Sequence, residues 1–192
     1  MVPENVDPTE MAVIAGYQAS KAAQVAAVFL IRAGGRLDKL KLVKLLYLVE
    51  RKSVELHGRP MFFDENFSLP HGPGGTNSLN GMNGEADEGT WSKFITVANR
   101  RNVQVSERLS EDDFDELSDT DIDLIEAVHA EVGHMSTSEI RKHTHDLPEY
   151  VEVETGRKKI DDVELAATLK KEDPVAYAKR VARTRRMVRG RR

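Results

Sequence analysis

The segment from Asp38 to Gly58 constrains the fold more than any other stretch of the chain. Leu42, Leu45, Leu46, Val49 and Val54 recur at the spacing of one helical face, and Leu40, Val43 and Tyr47 widen that face into a broad apolar arc. An arc so wide must be covered on more than one side, which predicts a central helix. Asp38 supplies the side-chain oxygen of an N-cap, and Gly58 can take the left-handed conformation that ends a helix. Lys41, Lys44, Arg51 and Lys52 are left over as a basic strip, expected to face outward.

Other elements follow from period and punctuation. An alanine-rich helix runs from about Gln18 to Ala33, with Ala22, Ala23, Val25, Ala26, Phe29 and Leu30 as its stripe and Gly34-Gly35 as its stop. From Arg59 to Pro70 the helical period is lost, and Met61, Phe62, Phe63, Phe67 and Leu69 are spaced like an extended segment. The run His71-Gly72-Pro73-Gly74-Gly75 forms a turn, Leu79 to Met82 a short helix, and Asn83 to Gly89 a loop. Alternation from Trp91 to Val105 predicts a hairpin. Ser118 caps a helix striped by Ile122, Ile125, Val128, His129 and Val132, and Ser136 or Thr137 caps a shorter one through Ile140. Ile160 and Asp161 introduce a helix through Leu169, and a last helix follows Pro174. The expected fold is α+β and mostly helical: a helical domain with a small antiparallel sheet inserted after the second helix. A flexible N-terminal arm over 1–15, a domain over 16–172 and a C-terminal helix with a basic tail over 173–192 complete the organisation.

Composition narrows the chemistry. The absence of cysteine excludes disulfides, thiolate catalysis and zinc sites built with sulfur. No apolar run approaches the roughly 18 residues that span a bilayer. Met1 to Glu10 lacks the basic-then-apolar order of a signal peptide, so a cytoplasmic location is expected. The net charge of −4 hides a polarity along the chain: Lys179 to Arg192 carries eight basic residues and no acid, and without those eight the first 178 residues stand at −12. Glu107 to Glu131 carries eleven acids against the single base Arg108. Such asymmetry marks surfaces made for charged partners.

Motifs for catalysis are weak. The glycine-rich turn at 71–75 cannot serve as a phosphate cradle, because Pro73 removes an amide donor and no lysine follows at the required offset. His143 and His145 with Asp146, and His129 with His134, lack the i, i+4 spacing of helical metal ligands, so no metal and no cofactor is expected. There is no G-x-S-x-G elbow to hold a serine nucleophile. The run from Glu111 to Glu116 lacks the glycine of a calcium loop and is expected to be a solvated loop leading into the helix capped by Ser118.

Lys41-Leu42-Val43-Lys44-Leu45-Leu46-Tyr47-Leu48, then Gly58-Arg59-Pro60-Met61-Phe62, then Gly72-Pro73, resembles the SocA-like (Panacea) antitoxin domain. Thr144-His145-Asp146-Leu147-Pro148-Glu149-Tyr150 and the later Ile160 resemble that family's closing part. His71 stands where an aromatic is frequent, and Tyr150 where a tryptophan is expected. The similarity runs from about Ala22 to Leu169; the arm and the basic tail lie outside it.

The resemblance implies a non-enzymatic antitoxin of a bacterial toxin–antitoxin system, neutralising a cognate protein toxin by direct contact. Occlusion of the toxin and its delivery to a cytosolic protease both remain open. Candidate contacts are Lys41, Lys44, Tyr47 and Arg51 on the central helix, His71, Gly72 and Pro73 in the turn, and the acids Asp112, Asp113, Asp115 and Glu116, which suit a basic toxin surface. The alternative is a nucleic-acid-binding protein or operon regulator using Arg183, Arg185, Arg186, Arg189, Arg191 and Arg192, since arginine clusters bind phosphates. No aromatic within that cluster can stack a base, and an acidic protein surface is an equal candidate partner for it.

Overall fold

In the computed structural model, which describes residues 16–85, 89–107 and 109–189, the first two helices form where caps and stripes place them. The arm over 1–15 lies outside the described residues, as do Arg191 and Arg192. Helix α1 (Ala19–Arg32) is buried from Lys21 to Leu30, the four alanines in that span allowing neighbours to approach closely. Strand β1 (Arg36–Asp38) leads into α2 (Lys39–His57). Asp38 caps α2 by accepting the Leu40 and Lys41 amides at 2.9 and 3.4 Å, and Gly58 closes it at φ +66°, where a Cβ would be strained. Every residue of α2 from Leu42 to Glu50 is buried. That is the covering on several sides that the broad apolar arc requires.

After α2 the chain forms β2 (Asn66–Ser68), β3 (Gly74–Gly75), α3 (Thr76–Asn83), α4 (Thr90–Phe94), β4 (Ile95–Val97) and β5 (Asn102–Val105). Helices α5 (Asp119–Val132) and α6 (Thr137–His145), strand β6 (Lys158–Lys159), α7 (Asp162–Thr168) and α8 (Pro174–Arg189) complete it. Capping boxes start α5 at Ser118 with Asp121 and α6 at Ser136 with Glu139. The fold is α+β and mostly helical, with small antiparallel sheets.

Two details differ from the sequence reading. The sheet content is divided: β1-β5-β4 form one antiparallel sheet and β3-β2-β6 another, so one strand precedes α2 rather than following it. The hairpin begins at Ile95 and not at Trp91, because Trp91 and Phe94, three residues apart, both turn into the core from a helical segment. Trp91 lies on α3 at Gly81, where any Cβ would overlap its indole. Val103 is the sheet's centre, opposite Leu37 on one side and Val97 on the other, and has no exposed surface. Each large apolar side chain so enclosed contributes roughly 1.5–3 kcal/mol.

The acidic stretch folds against α1. Gln24, fully buried, donates to Asp115 at 2.7 Å and accepts the Glu116 amide at 3.0 Å. At the other end of the chain, α8 docks through Tyr177 and Val181, both core residues.

Candidate functional site

Three segments meet on α2, each held by a polar group that a sequence pattern does not pair. The first is the extended stretch after α2. Glu50, 2% exposed, accepts the Met61 amide in a short hydrogen bond, the Phe62 amide at 3.2 Å and the Asp64 amide at 2.9 Å. Burial pushes its carboxyl up to about 7, against the pull of those three donors. Asp64 passes the chain on to α3: its carboxylate accepts the Asn77 and Ser78 amides at 3.1 and 3.0 Å, together with both side chains. Burial raises its pKa as well. Gly75 lies beneath that carboxylate, which occupies the place of any Cβ there.

The second segment is the turn at 71–73. Lys44, with no exposed surface, donates from Nζ to the Pro73 carbonyl at 2.6 Å. Burial brings its ammonium down to about 7, with nearby Arg141 adding to the shift. Gly72 sits at φ +93°, where a Cβ would meet the His145 ring at 2.8 Å and Lys44 Nζ at 3.1 Å. This position therefore requires glycine twice over, for backbone conformation and for space.

The third is the segment after α6. Glu149, its side chain wholly buried, accepts from Tyr47 Oη and Arg51 Nε, each at 2.7 Å. Burial and that carboxylate raise the Tyr47 phenol well above its ordinary range. Tyr150 donates to the Leu69 carbonyl at 3.2 Å and packs against His145 with ring centroids 4.5 Å apart and planes tilted by 43°. The Val151 amide reaches Ser68 Oγ at 3.1 Å, so this segment also clasps the strand leading to the turn.

The structure thus brings Lys44, Tyr47, Arg51, Gly72 and Pro73 into one junction. It corrects the outward-facing basic strip. Lys44 is enclosed, and Lys41, Arg51 and Lys52 are half-buried. Lys41 holds the Gly133 carbonyl at 2.8 Å, Arg51 holds Glu149, and Lys52 pairs with Glu55 at 3.1 Å. The physical reason is reach: a lysine stem can cross apolar surface and deliver its ammonium to a carbonyl on the far side. Tyr47 is enclosed too, and only His71 of the turn is exposed.

The acidic stretch divides in the same way. Asp113 pairs with Lys93 at 2.8 Å, which with Ser110 holds its carboxyl down at about 2, and Asp115 is taken by Gln24. Asp112 and Glu116 remain exposed, and so does Asp115 despite that hydrogen bond. On α8, Arg183 and Arg186 are exposed, but Arg185 is not: it pairs with Asp162 at 2.8 Å and donates to the Asp64 carbonyl at 3.3 Å. Arg189 ends the described helix.

Sequence reasoning missed Glu50, Asp64 and Glu149. Glu50 carries a signal, a carboxylate four residues from Leu46 and four from Val54 on an apolar face. Glu149 lies in the run from Thr144 to Tyr150 that carries the resemblance, but nothing there points to its tyrosine partner 102 residues away. Also missed is a cleft of about 530 Å³ beside Lys44, between the start of α2, the turn at 69–72 and the β4–β5 turn. Among the described residues no three His, Asp or Glu side chains converge as a metal site, and no helix is long and apolar enough to cross a membrane.

A family model described as antitoxin SocA-like, Panacea domain, matches residues 42–150, more than half of the chain. That span starts within α2 and ends on the segment carrying Glu149 and Tyr150. Comparison with curated proteins and with solved structures returns no match.

Proposed function

Because the chain belongs to the SocA-like antitoxin family, Panacea domain, we propose that it neutralises a cognate protein toxin by direct contact in the cytoplasm, occluding it or delivering it to a cytosolic protease. One observation supports a scaffold over a catalyst: the buried carboxyl groups are spent internally. Glu50 and Asp64, both raised by burial, and the wholly buried Glu149 accept hydrogen bonds from backbone or side chains of this domain, and Lys44 donates to the Pro73 carbonyl. A perturbed carboxyl serving catalysis instead faces a cleft with a valence free for substrate. Here the same groups fix three segments on α2 and so set the shape of the surface that a toxin meets.

On this reading Lys44, Tyr47, Gly72 and Pro73 act by shaping that surface. Lys41, Arg51, His71, Asp112 and Glu116 supply direct contacts, and Asp113 and Asp115 hold the acidic loop in place. The test is co-expression with the neighbouring gene. Expression of that gene alone should arrest growth, co-expression should restore it, and the two products should co-purify. Rescue without any complex would refute direct neutralisation.

A second reading, nucleic-acid contact by the C-terminal helix, is supported by the exposure of Lys179, Arg180, Arg183 and Arg186 along α8. It requires affinity for DNA that falls steeply with salt and is lost on deletion after Ala178.

A further inference from the structure

Resting on the antitoxin reading, we propose that the cleft beside Lys44 is where the toxin docks, and that it takes a segment of the toxin pairing an aliphatic side chain with a carboxylate. Leu40, Val43, Leu69 and Leu79 give it aliphatic lining, to which Lys39 and the exposed Arg100 and Arg101 add charge. Those cations stand out on a body whose first 178 residues sum to −12. None of the three is in an ion pair among the described residues. Lys39 Nζ rests on the neutral Asn83 Oδ1 at 2.6 Å, a partner that a carboxylate can displace. The acid in the lining, Asp38, is already occupied with the first amides of α2.

The two arginines are displayed on a braced turn. Asn99 Oδ1 accepts the Arg101 and Asn102 amides, each at 2.9 Å, and the Arg101 carbonyl accepts the Lys39 amide at 2.8 Å. The β4–β5 turn is thereby bonded to the start of α2, so less ordering remains to be done on binding. The positive end of the α2 dipole opens on the same side and favours an incoming anion. The lining holds no Phe, Tyr or Trp, its one aromatic ring being the imidazole of His71, while its four aliphatic side chains match a leucine-like anchor.

The probe is a fluorescein-labelled, terminally blocked peptide alternating leucine and glutamate, titrated against the full chain at low salt and read by anisotropy. Counterparts replace glutamate with lysine, or leucine with serine. The expected result is binding of the leucine–glutamate peptide at least about tenfold tighter than either counterpart. R100E/R101E should weaken it by about tenfold or more, since like charges then face each other. The equal charge change K158E/K170E, far along the chain in β6 and beyond α7, should leave it unchanged. Equal binding of a counterpart, indifference to R100E/R101E, or displacement by an oligothymidylate in preference to unlabelled peptide would overturn the proposal. The co-purified toxin separates this idea from the one beneath it. Loss of toxin from R100E/R101E supports the cleft, and retention at undiminished affinity sinks the cleft while leaving the antitoxin reading intact. If wild type holds no toxin, the antitoxin reading fails, and the peptide titration decides the cleft alone.

Discussion

Replacing Tyr47 with phenylalanine removes one hydroxyl and tests how the closing segment is held. That hydroxyl donates to a carboxylate with no exposed side-chain surface, at 2.7 Å, and the same oxygen accepts Arg51 Nε at 2.7 Å. A hydrogen bond to a charged, buried acceptor is worth roughly 1.5–3 kcal/mol, so Tyr47→Phe should cost about 2 kcal/mol. Glu149→Gln keeps the shape but leaves Arg51 half-buried without its counter-charge, at a cost of about 3 kcal/mol, the lower end for breaking a buried pair. On that background the Tyr47 bond runs to a neutral acceptor and is worth about 1 kcal/mol. The double variant should therefore lose about 4 kcal/mol, with a coupling of about 1 kcal/mol. Urea unfolding of the four proteins gives these quantities directly, and thermal melts should show Tyr47→Phe lowered by about 4–8 °C. Additivity within about 0.3 kcal/mol would mean that the two side chains do not meet, and the clasp would fall with it.

Three further outcomes follow from the same geometry. Gly72→Ala should destabilise by about 3 kcal/mol, because it combines a positive φ with a contact on the His145 ring, whereas Gly84→Ala, at φ +75° with nothing near, should cost clearly less in the same urea titration. Lys44 loses its proton near 7 when folded against an ordinary 10.5, so between those values the unfolded chain holds the extra proton and stability rises with pH, by about 1.4 kcal/mol per unit. Glu50 acts in the opposite sense, raised from 4.5 to about 7, so its contribution falls as pH climbs through that window and the two together place a stability minimum near pH 7. Lys44→Met should flatten the alkaline limb alone in urea midpoints measured across pH, and an unaltered limb would refute the assignment. Asp112→Lys with Glu116→Lys should slow toxin association severalfold at low salt and not at high salt, by stopped-flow mixing.

The helices were legible in the sequence because their signals are local. Asp38, Ser118, Ser136 and Asp161 each cap the helix that follows, and the stripes on α1, α2 and α5 repeat at a fixed period. The family was legible for the same reason, since Lys41 to Leu48 and Gly72-Pro73 are short runs with an order. Burial of the charged residues was not. Lys44 and Lys41 occupy positions that a helical wheel reads as basic surface, and only the third dimension places the Pro73 and Gly133 carbonyls at the ends of their stems. The clasp at Glu149 and the cleft edge at Arg100 and Arg101 are products of tertiary closure, joining residues whose own neighbourhoods carry no mark of it. Arg185 shows the same limit: one arginine in a basic run turns inward because Asp162 and the Asp64 carbonyl lie opposite it.

Hydrogen exchange of the full chain, alone and bound to its co-expressed toxin, tests most directly whether α2, the turn and the closing segment form one toxin-docking unit. In the free protein the Met61, Phe62 and Gly72 amides should exchange together with those of α2. Toxin should add protection around 69–72 and 99–102. Independent exchange of those three amides, or protection confined to α8, would contradict the account.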